Sequence, residues 1–139
     1  MDHTLAIIKP DAVAASRSGR ILAHLEHEGF TIRGIRFACL TVNQAREFYA
    51  VHRDRPFYDS LVRFMTSGPI IPVALRRADA VATLRHVIGA TDPADAAPGT
   101  IRALYAESKE RNAIHASDSD ENAARESRFF FAETEIIRG

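Results

Sequence analysis

A histidine, a serine and a glutamate near the end of the chain form the pattern best suited to chemistry. His115 follows a short apolar step, and Ser117 opens a run of serines and acids that is typical of a helix start. Glu126 lies about two turns into that helix. A neutral imidazole is a good nucleophile near pH 7, and a carboxylate on its far ring nitrogen fixes the tautomer. The spacing predicts that His115 is a nucleophile and that Glu126 orients it, directly or through Ser117.

Other interpretations of this pattern exist, and the electrophile is not evident from it. A buried, hydrogen-bonded core histidine explains much of the same spacing. If His115 attacks phosphorus, cationic and hydroxyl groups must contact the phosphate oxygens, and Lys9, Arg85, Thr91 and Arg102 are candidates. No glycine-rich phosphate loop is present, so side chains would have to hold a nucleotide. The histidines are scattered without a zinc-ligand motif, which makes a zinc hydrolase the weaker alternative.

The composition predicts one ordinary globular domain over residues 1–139. Apolar residues make up 46% and charged residues 26%, and eighteen basic residues balance eighteen acidic ones. Anion binding must therefore be local, and neither a membrane nor a specific nucleic acid is expected as a partner. The one cysteine, Cys39, cannot form an intramolecular disulfide and is most simply a core residue. Without a leader-like start or an apolar run of about 18 residues, a reducing, cytoplasmic setting is expected.

Apolar periodicity and turn residues predict the elements that must position these groups. Strands are predicted at Thr4–Ile8, Phe30–Leu40, Ile70–Leu75 and Asn112–His115. Helices are predicted at Ser18–Glu28, after a capping box at Thr41, at Phe57–Met65, from an Asp79 cap to Ile88, and after Ser117 or Ser119 to about Phe129–Phe131. Gly34 indicates a bulge in the second strand, and Pro72 indicates an edge or a bulge in the third.

The order of these elements predicts the fold class. Without the helical hairpin between the second and third strands, the order is βαββαβ, a ferredoxin-like α+β sandwich with a four-stranded antiparallel sheet. The hairpin would form one wall of a cleft. The long segment from Ala90 to Arg111 is rich in turn residues, has one or two helical turns at Thr100–Ala106, and is interpreted as a nucleotide-binding loop.

Several segments together carry a family resemblance. They are Thr4–Val13, Arg55–Tyr58, Phe64–Pro69, Gly89–Pro93, Pro98–Arg102 and Asn112–Ser119, followed by Glu121, Ala124 and Glu126. The chain resembles nucleoside diphosphate kinases over nearly its whole length, and its short tail is similar to that of bacterial-length members. The resemblance implies a ping-pong phosphotransferase in which Nδ1 of His115 takes the γ-phosphoryl group from ATP or another nucleoside triphosphate. The group then passes to a nucleoside diphosphate.

The resemblance also implies roles for individual residues. Besides His115, Glu126 and Ser117, the catalytic set would include Lys9, which reaches the transferring phosphate, and Tyr49, which lies near the histidine. The implied nucleotide-binding residues are Lys9, Phe57, Arg85, Thr91, Arg102 and Asn112. Lys9 and Asn112 would hold the sugar, Phe57 would stack on the base, and the other three would grip phosphates. Mg²⁺ would bridge the phosphates, and Asp118 would contact it through water. Stacking reads no base edge, so little base selectivity is expected.

Three positions depart from the family pattern. Lys109 replaces an apolar residue over the base, and its stem can still cover that face. Leu104 replaces an aspartate after the nucleotide-binding arginine. Ala116 replaces the glycine after the histidine, which costs about 1 kcal/mol if that position needs a positive φ. None removes a catalytic group, so an active enzyme is favoured over a regulatory nucleotide-binding domain. The family also implies a homo-oligomer, a dimer-based tetramer or hexamer, with the second strand as dimer edge.

Overall fold

The computed structural model describes residues 2–138, which form a four-stranded antiparallel sheet with helices on both faces. The strands are β1 (His3–Ile8), β2 (Thr31–Ile35), β3 (Ile71–Arg76) and β4 (Ile114–Ala116), in the spatial order β2-β3-β1-β4. The helices are α1 (Pro10–Ala14), α2 (Ser18–His27), α3 (Val42–Phe48), α4 (Tyr58–Met65), α5 (Ala80–Ile88), α6 (Ile101–Tyr105) and α7 (Asp120–Phe130), with 3₁₀ turns at Ala50–His52 and Glu133–Glu135. The predicted ferredoxin-like α+β class is confirmed. No helix between residues 2 and 138 has the length and apolarity needed to span a membrane.

The central strand β1 is buried throughout after His3 because both faces of the sheet are covered. Ala6 and Ile8 belong to one core with side chains of α2 and α5, while Leu5 and Ile7 belong to another with α3, α4 and α7. Since successive side chains point to opposite faces, a strand covered on both sides must be apolar at consecutive positions. The same apolar run therefore explains both why this segment is a strand and why β1 lies inside the sheet and not at its edge.

The strand β4 uses the same alternation to place one polar side chain. Ile114 and Ala116 are buried in the core beneath α2 and α5. His115 lies between them, opposite Ile7 of β1, and therefore faces the side of the sheet that α3 and α7 cover. The imidazole is thus held on a strand with apolar anchors before and after it.

The second strand is shorter and more exposed than the sequence indicates. β2 ends at Ile35, and beyond it Ala38 forms an isolated bridge with Ile70. The predicted bulge is confirmed, because the register shifts between Ile32 and Gly34. The placement of Cys39 in the core is wrong, since its side chain is exposed. The alternation of apolar side chains shows that this segment has two faces, but it does not show which face the rest of the protein covers.

Pro72 lies in a central strand, so the predicted edge or bulge at that position is wrong. β3 pairs with β1 along its whole length, and Pro72 lies opposite Ile7. Its regular pairing with β2 ends at Val73, opposite Ile35. The missing N–H of the proline faces β2 where this regular pairing ends, although the Pro72 carbonyl still accepts the Arg36 N–H.

Helix starts agree with the sequence in part. Thr41 and Gln44 form the predicted capping box of α3. Ser18 is the first residue of α2 and makes no capping bond, and Asp79 precedes α5 in a left-handed conformation without one. The Ser119 hydroxyl caps α7 by accepting the N–H of Asn122. That assignment leaves the hydroxyl of Ser117 available for the site.

Candidate active site

The strand β4 and the helix α7 bring His115, Ser117 and Glu126 into direct contact. His115 Nε2 lies 2.7 Å from Glu126 Oε1, and the Ser117 hydroxyl donates to the same oxygen at 2.7 Å. Burial alone would raise the pKa of Glu126, but the bonds from His115 and Ser117 and the charge of Arg125 outweigh it and lower that pKa. The carboxylate is therefore ionised at neutral pH, and it occupies one ring nitrogen while the other is left for chemistry. Arg125, which the sequence did not single out, lies 3.4 Å from the second carboxylate oxygen.

An aromatic wall from α3 encloses the imidazole. The rings of Phe48 and Tyr49 meet it edge to face, with centroids 5.7 and 6.2 Å away. The Tyr49 hydroxyl is buried and has no hydrogen-bond partner within residues 2–138. Burial, and then the charge of Glu126, raises its pKa, so the phenol stays protonated. A buried donor of this kind is normally paired, which leaves Tyr49 available to a ligand or a water molecule.

Lys9 lies at the carboxyl end of β1, where it meets the backbone that leads into β4. Its ammonium donates to Asn112 Oδ1 at 2.8 Å, and its own N–H donates to the Ala113 carbonyl. Asn112 Nδ2 donates to the carbonyls of Thr91 and Lys109. Burial, followed by the charge of Arg102, lowers the pKa of Lys9 to about 8, although Asp11 and Glu110 oppose the shift. The pair therefore couples β1, β4 and the long loop.

Two arginines flank the histidine. Arg102 donates to the Ile114 carbonyl at 2.8 Å and to the Gly89 carbonyl at 3.1 Å, and Arg85 donates to the Ala116 carbonyl at 3.3 Å. The Ile114 and Ala116 carbonyls belong to the residues just before and just after His115. Burial, and then the charge of Arg85, lowers the pKa of Arg102 to about 10, so it remains a cation at neutral pH. The arrangement concentrates positive charge beside the imidazole.

Arg85, Thr91 and Arg102 line one cavity of about 840 Å³. The cavity also extends to His24 and Glu28 of α2, and His115 does not line it. The cavity therefore extends away from His115. Arg85 and Arg102 connect the two, because both arginines line the cavity and bond to the carbonyls on either side of His115. Its size lies within the usual range of ligand pockets, which is roughly 300–1,000 Å³.

The long segment predicted as a binding loop is ordered by its own backbone bonds. Gly89 ends α5 with φ 88°, and an added Cβ would lie 2.5 Å from the Thr100 hydroxyl oxygen. That hydroxyl accepts the N–H of Ala103 at the start of α6, which carries Arg102. The glycine therefore lets the loop close onto α6, and this closure brings Arg102 to β4.

The helical hairpin supplies an aromatic surface at the other side of the site. Phe57, directly before α4, is 47% exposed. The ring of His52 packs between Phe57 and Tyr49, with centroids 5.4 and 6.5 Å away. No sequence pattern singles out His52. A lone histidine in a polar loop gives no signal of this role, which depends on the two aromatic neighbours.

Asp118 is an exposed carboxylate beyond the end of β4. The hydrogen bond from Asn122 lowers its pKa first, and the charge of Arg85 lowers it further. Between residues 2 and 138, no three histidine, cysteine or acidic side chains are grouped so that they could hold a metal ion. A single carboxylate suits Mg²⁺, which commonly binds one or two protein carboxylates together with substrate phosphates and keeps several waters.

The position of Ala116 does not need a positive φ, so its methyl group causes no strain there. Ala116 lies in β4 opposite Ala6, and the non-glycine residues with positive φ between residues 2 and 138 are Ser16, Asp79 and Ala113. The methyl group of Ala116 fills the core, where the residue is 5% exposed. The strained residue is instead Ala113, two positions before the histidine. Leu104 and Lys109 are both exposed, so neither blocks the site.

Comparisons with known proteins agree over the whole chain. A family model described as nucleoside diphosphate kinase matches residues 2–136. The nucleoside diphosphate kinase of Chlorobium luteolum is 53% identical over 138 residues, 99% of either chain. The Aquifex aeolicus nucleoside diphosphate kinase structure has a TM-score of 0.96 at 45% identity, covering 98% of this chain and 99% of its own. A halophilic Halobacterium salinarum nucleoside diphosphate kinase in complex with CDP has a TM-score of 0.94 at 39% identity, covering 100% and 93%.

Proposed function

Because this chain belongs to the nucleoside diphosphate kinase family, we propose that it transfers the γ-phosphoryl group of ATP to nucleoside diphosphates through a phosphohistidine on His115. Family membership establishes phosphotransfer between nucleotides, and the proposal concerns its mechanism. The observation that carries it is the 2.7 Å contact between His115 Nε2 and Glu126 Oε1. With Nε2 held by a carboxylate, Nδ1 keeps the lone pair that attacks phosphorus.

Each half of the reaction forms one bond and breaks another. Nδ1 of His115 attacks the γ-phosphorus, the bond from that phosphorus to the β–γ bridging oxygen breaks, and the nucleoside diphosphate leaves with the electron pair. The Nε2 proton stays between the ring and Glu126, whose negative charge stabilises the cationic phosphoimidazole. The terminal oxygen of a second diphosphate then attacks the phosphorus, and the P–N bond breaks. Both halves use the same groups, as ping-pong transfer requires.

Cationic and hydroxyl groups around His115 suit the developing negative charge. Arg85 and Arg102 flank it and grip the phosphates together with Thr91, and the Lys9 ammonium reaches the transferring group. The unpartnered Tyr49 hydroxyl donates to a phosphoryl oxygen. In a site with little water, such donors stabilise charge more strongly than they would in bulk solvent. Catalysis therefore rests on positioning and electrostatics.

The nucleoside is held by its sugar and by one face of its base. Lys9 and Asn112, bonded to each other, hold the sugar hydroxyls. Phe57 stacks on the base, and Lys109 covers the other face with its stem. Every base offers a π-face, so we expect little base selectivity. The bound CDP of the Halobacterium salinarum relative is a pyrimidine nucleotide, in line with that tolerance.

Asp118 would hold an Mg²⁺ ion through water, and the nucleotide phosphates would carry that ion. The isolated carboxylate fits an ion carried by substrate better than one held in a protein cage. When bound, Mg²⁺ neutralises phosphate charge during transfer. We place the enzyme in the cytoplasm, as a homo-oligomer built from dimers, with ATP and other nucleoside di- and triphosphates as its ligands.

The phosphoenzyme tests this proposal. Incubation with Mg²⁺ and ATP radiolabelled at the γ-phosphate should label the protein in an acid-labile, alkali-stable form, and GDP should remove the label as GTP. His115→Ala should abolish labelling while ATP still binds. A wild-type protein that binds nucleotide but neither becomes labelled nor transfers to GDP would instead be a regulatory nucleotide-binding domain.

A further inference from the structure

The peptide before the histidine strand has an unusual conformation. Ala113 has φ 76°, and the Ile114 N–H donates to the Asn112 carbonyl at 2.9 Å. A bond from residue i+2 to residue i around a positive φ is the rarer and more strained form of γ-turn. For a residue with a Cβ, such conformations cost on the order of 1–3 kcal/mol and persist only where neighbours enforce them. Ala113 is fully buried, so protein groups must enforce it.

Two groups hold this turn from the segment that follows β1. The carboxylate of Asp11 accepts the Ala113 N–H through Oδ2 at 3.0 Å, and the Lys9 N–H donates to the Ala113 carbonyl at 2.9 Å. Both polar groups of the Ala113 backbone are therefore bound. Asp11 is 4% exposed, and its Oδ1 has no partner in the part of the chain the structure describes. Burying a carboxylate this incompletely paired is costly, which indicates a role beyond starting α1.

The turn connects two groups that must face one ligand. On one side is Asn112, whose amide oxygen accepts the Lys9 ammonium at 2.8 Å. On the other is Ile114, whose carbonyl is bound by Arg102 and which leads directly to His115. Rotation of the Ala113 peptide would turn the amide of Asn112 away from the strand that carries the imidazole. The Asp11 carboxylate can act on the site in two ways, by holding this peptide and by raising the pKa of Lys9 through its charge. Asp11→Asn separates the two, because it keeps an oxygen acceptor for the Ala113 N–H and removes the charge.

We infer that Asp11 is a positioning residue for phosphoryl transfer, whose carboxylate holds the Ala113 γ-turn so that Asn112 and His115 act on the same nucleotide. The inference rests on the proposed function and adds to it a residue that contacts no substrate. It also explains why an alanine with a positive φ is tolerated immediately beside the site.

Four variants test this role: Asp11→Ala, Asp11→Asn, Ala113→Gly and the double variant Asp11→Ala with Ala113→Gly. We measure the rate of phosphoenzyme formation, KM for ATP and Tm for each. Asp11→Ala should slow phosphorylation by on the order of tenfold or more, because a small misplacement of reacting groups is costly. Asp11→Asn keeps an oxygen acceptor and should recover most of the rate. Glycine adopts φ 76° without strain, so the fold-loss caused by Asp11→Ala should be smaller when Ala113→Gly is already present.

A matched control separates positioning from general destabilisation. Leu25→Ala removes a fully buried side chain from α2 and should lower Tm with little effect on the rate of the folded fraction. If Asp11→Ala does not fold, Asp11→Ser, whose oxygen is one atom shorter in reach, replaces it. The inference is overturned if Asp11→Ala phosphorylates like Leu25→Ala, if Asp11→Asn is as slow as Asp11→Ala, or if the Ala113→Gly background leaves the fold-loss unchanged. A wild-type protein without phosphoenzyme would contradict the proposed function instead.

Discussion

At the scale of single residues, Glu126 connects His115, the proposed nucleophile, to the rest of the protein. Its Oε1 accepts from both His115 and Ser117 at 2.7 Å, and its Oε2 lies 3.4 Å from Arg125. One carboxylate thus fixes the imidazole and is itself fixed by the hydroxyl of Ser117, directly after β4. A ligand-facing group needs such support because its own rotamer would otherwise be free.

The Ser117 hydroxyl should affect rate more than nucleotide binding. Ser117→Ala removes a donor to an ionised, buried acceptor, so the position of Glu126 and hence of His115 is less well defined. We expect phosphoenzyme formation to slow by on the order of tenfold with KM for ATP little changed. Ser119→Ala, which removes only the α7 cap, is the control and should lower Tm without this loss of rate. Equal rate losses in the two variants would contradict the assignment.

Lys9 should set an alkaline limit on activity. Burial and Arg102 lower its pKa to about 8, so the ammonium is lost from the free enzyme as pH rises above that value, and kcat/KM should fall there. The unfolded chain keeps this proton up to about pH 10.4, so between the two values stability should rise with pH relative to Lys9→Met. Kinetics and urea unfolding from about pH 6 to pH 10 measure both effects.

The chain's other lysine provides the control for that limit. Lys109→Met should alter KM but keep the fall in kcat/KM near pH 8, because Lys109 is exposed. If the limit stays at the same pH in Lys9→Met, another group is responsible for it.

At the scale of elements, the long segment between α5 and β4 completes the site. Gly89 ends α5, its carbonyl accepts Arg102, and the Asn112 amide donates to Thr91 and Lys109. The loop is therefore anchored at both ends to the residues that flank His115. Arg102 and Asn112, which anchor the loop, are themselves residues of the site. A shift of the loop would therefore also move these two side chains.

Substituting Gly89 should disturb this closure. Gly89→Ala combines a positive φ with a Cβ 2.5 Å from the Thr100 hydroxyl oxygen, so it should lower the free energy of unfolding by about 1–3 kcal/mol and raise KM for ATP several-fold. Gly19→Ala is the matched control, because nothing lies within 4 Å of its added Cβ. That helical substitution should stabilise by about 0.5–1 kcal/mol and leave KM unchanged. Thermal unfolding and steady-state kinetics measure these effects. The prediction is refuted if Gly89→Ala has the same stability and KM for ATP as Gly19→Ala.

At the scale of the whole molecule, the sheet has one edge that favours association. β2 is an outer strand, and Ile35 and Phe37 are 48% and 69% exposed. Residues 36 and 38 bond to the β3 side through their N–H groups, so alternation turns the backbone of Phe37 outward. The Arg33 carbonyl of β2 accepts the Ile137 N–H, and beyond it Ile35 and Phe37 leave an apolar edge exposed. Such an edge is normally covered in a native protein, and a second copy of the chain would cover it.

Charge at this edge should weaken the homo-oligomer. Phe37→Glu should lower the mass seen by sedimentation velocity, because a carboxylate would be buried against an apolar surface. Val42→Glu, which charges a residue exposed to the same extent as Ile35 but at the start of α3, is the control and should sediment as wild type. A Phe37→Glu protein that keeps the wild-type mass would place the interface elsewhere.

The sequence by itself determined the order of the strands and the main helices, the proposed role of His115 and the closeness of Ser117 and Glu126 to it. These features depend on local rules: the apolar run of β1, the I-H-A alternation of β4, and the offset of Glu126 along a helix that begins at a serine cap. Even so, caps and ends were inaccurate at Ser18, Asp79 and Leu40, since competing backbone bonds decide them.

Tertiary structure decided the rest, because those contacts join residues far apart in the chain. Lys9 meets Asn112 and Asp11 meets Ala113 across more than a hundred positions, and no local pattern encodes such pairs. The exposure of Cys39 depends on which face of the segment after β2 the fold leaves open. The sequence left open whether Ala116 needs a positive φ, and the structure has the positive φ at Ala113 instead. Only the assembled backbone shows at which residue the chain turns before β4.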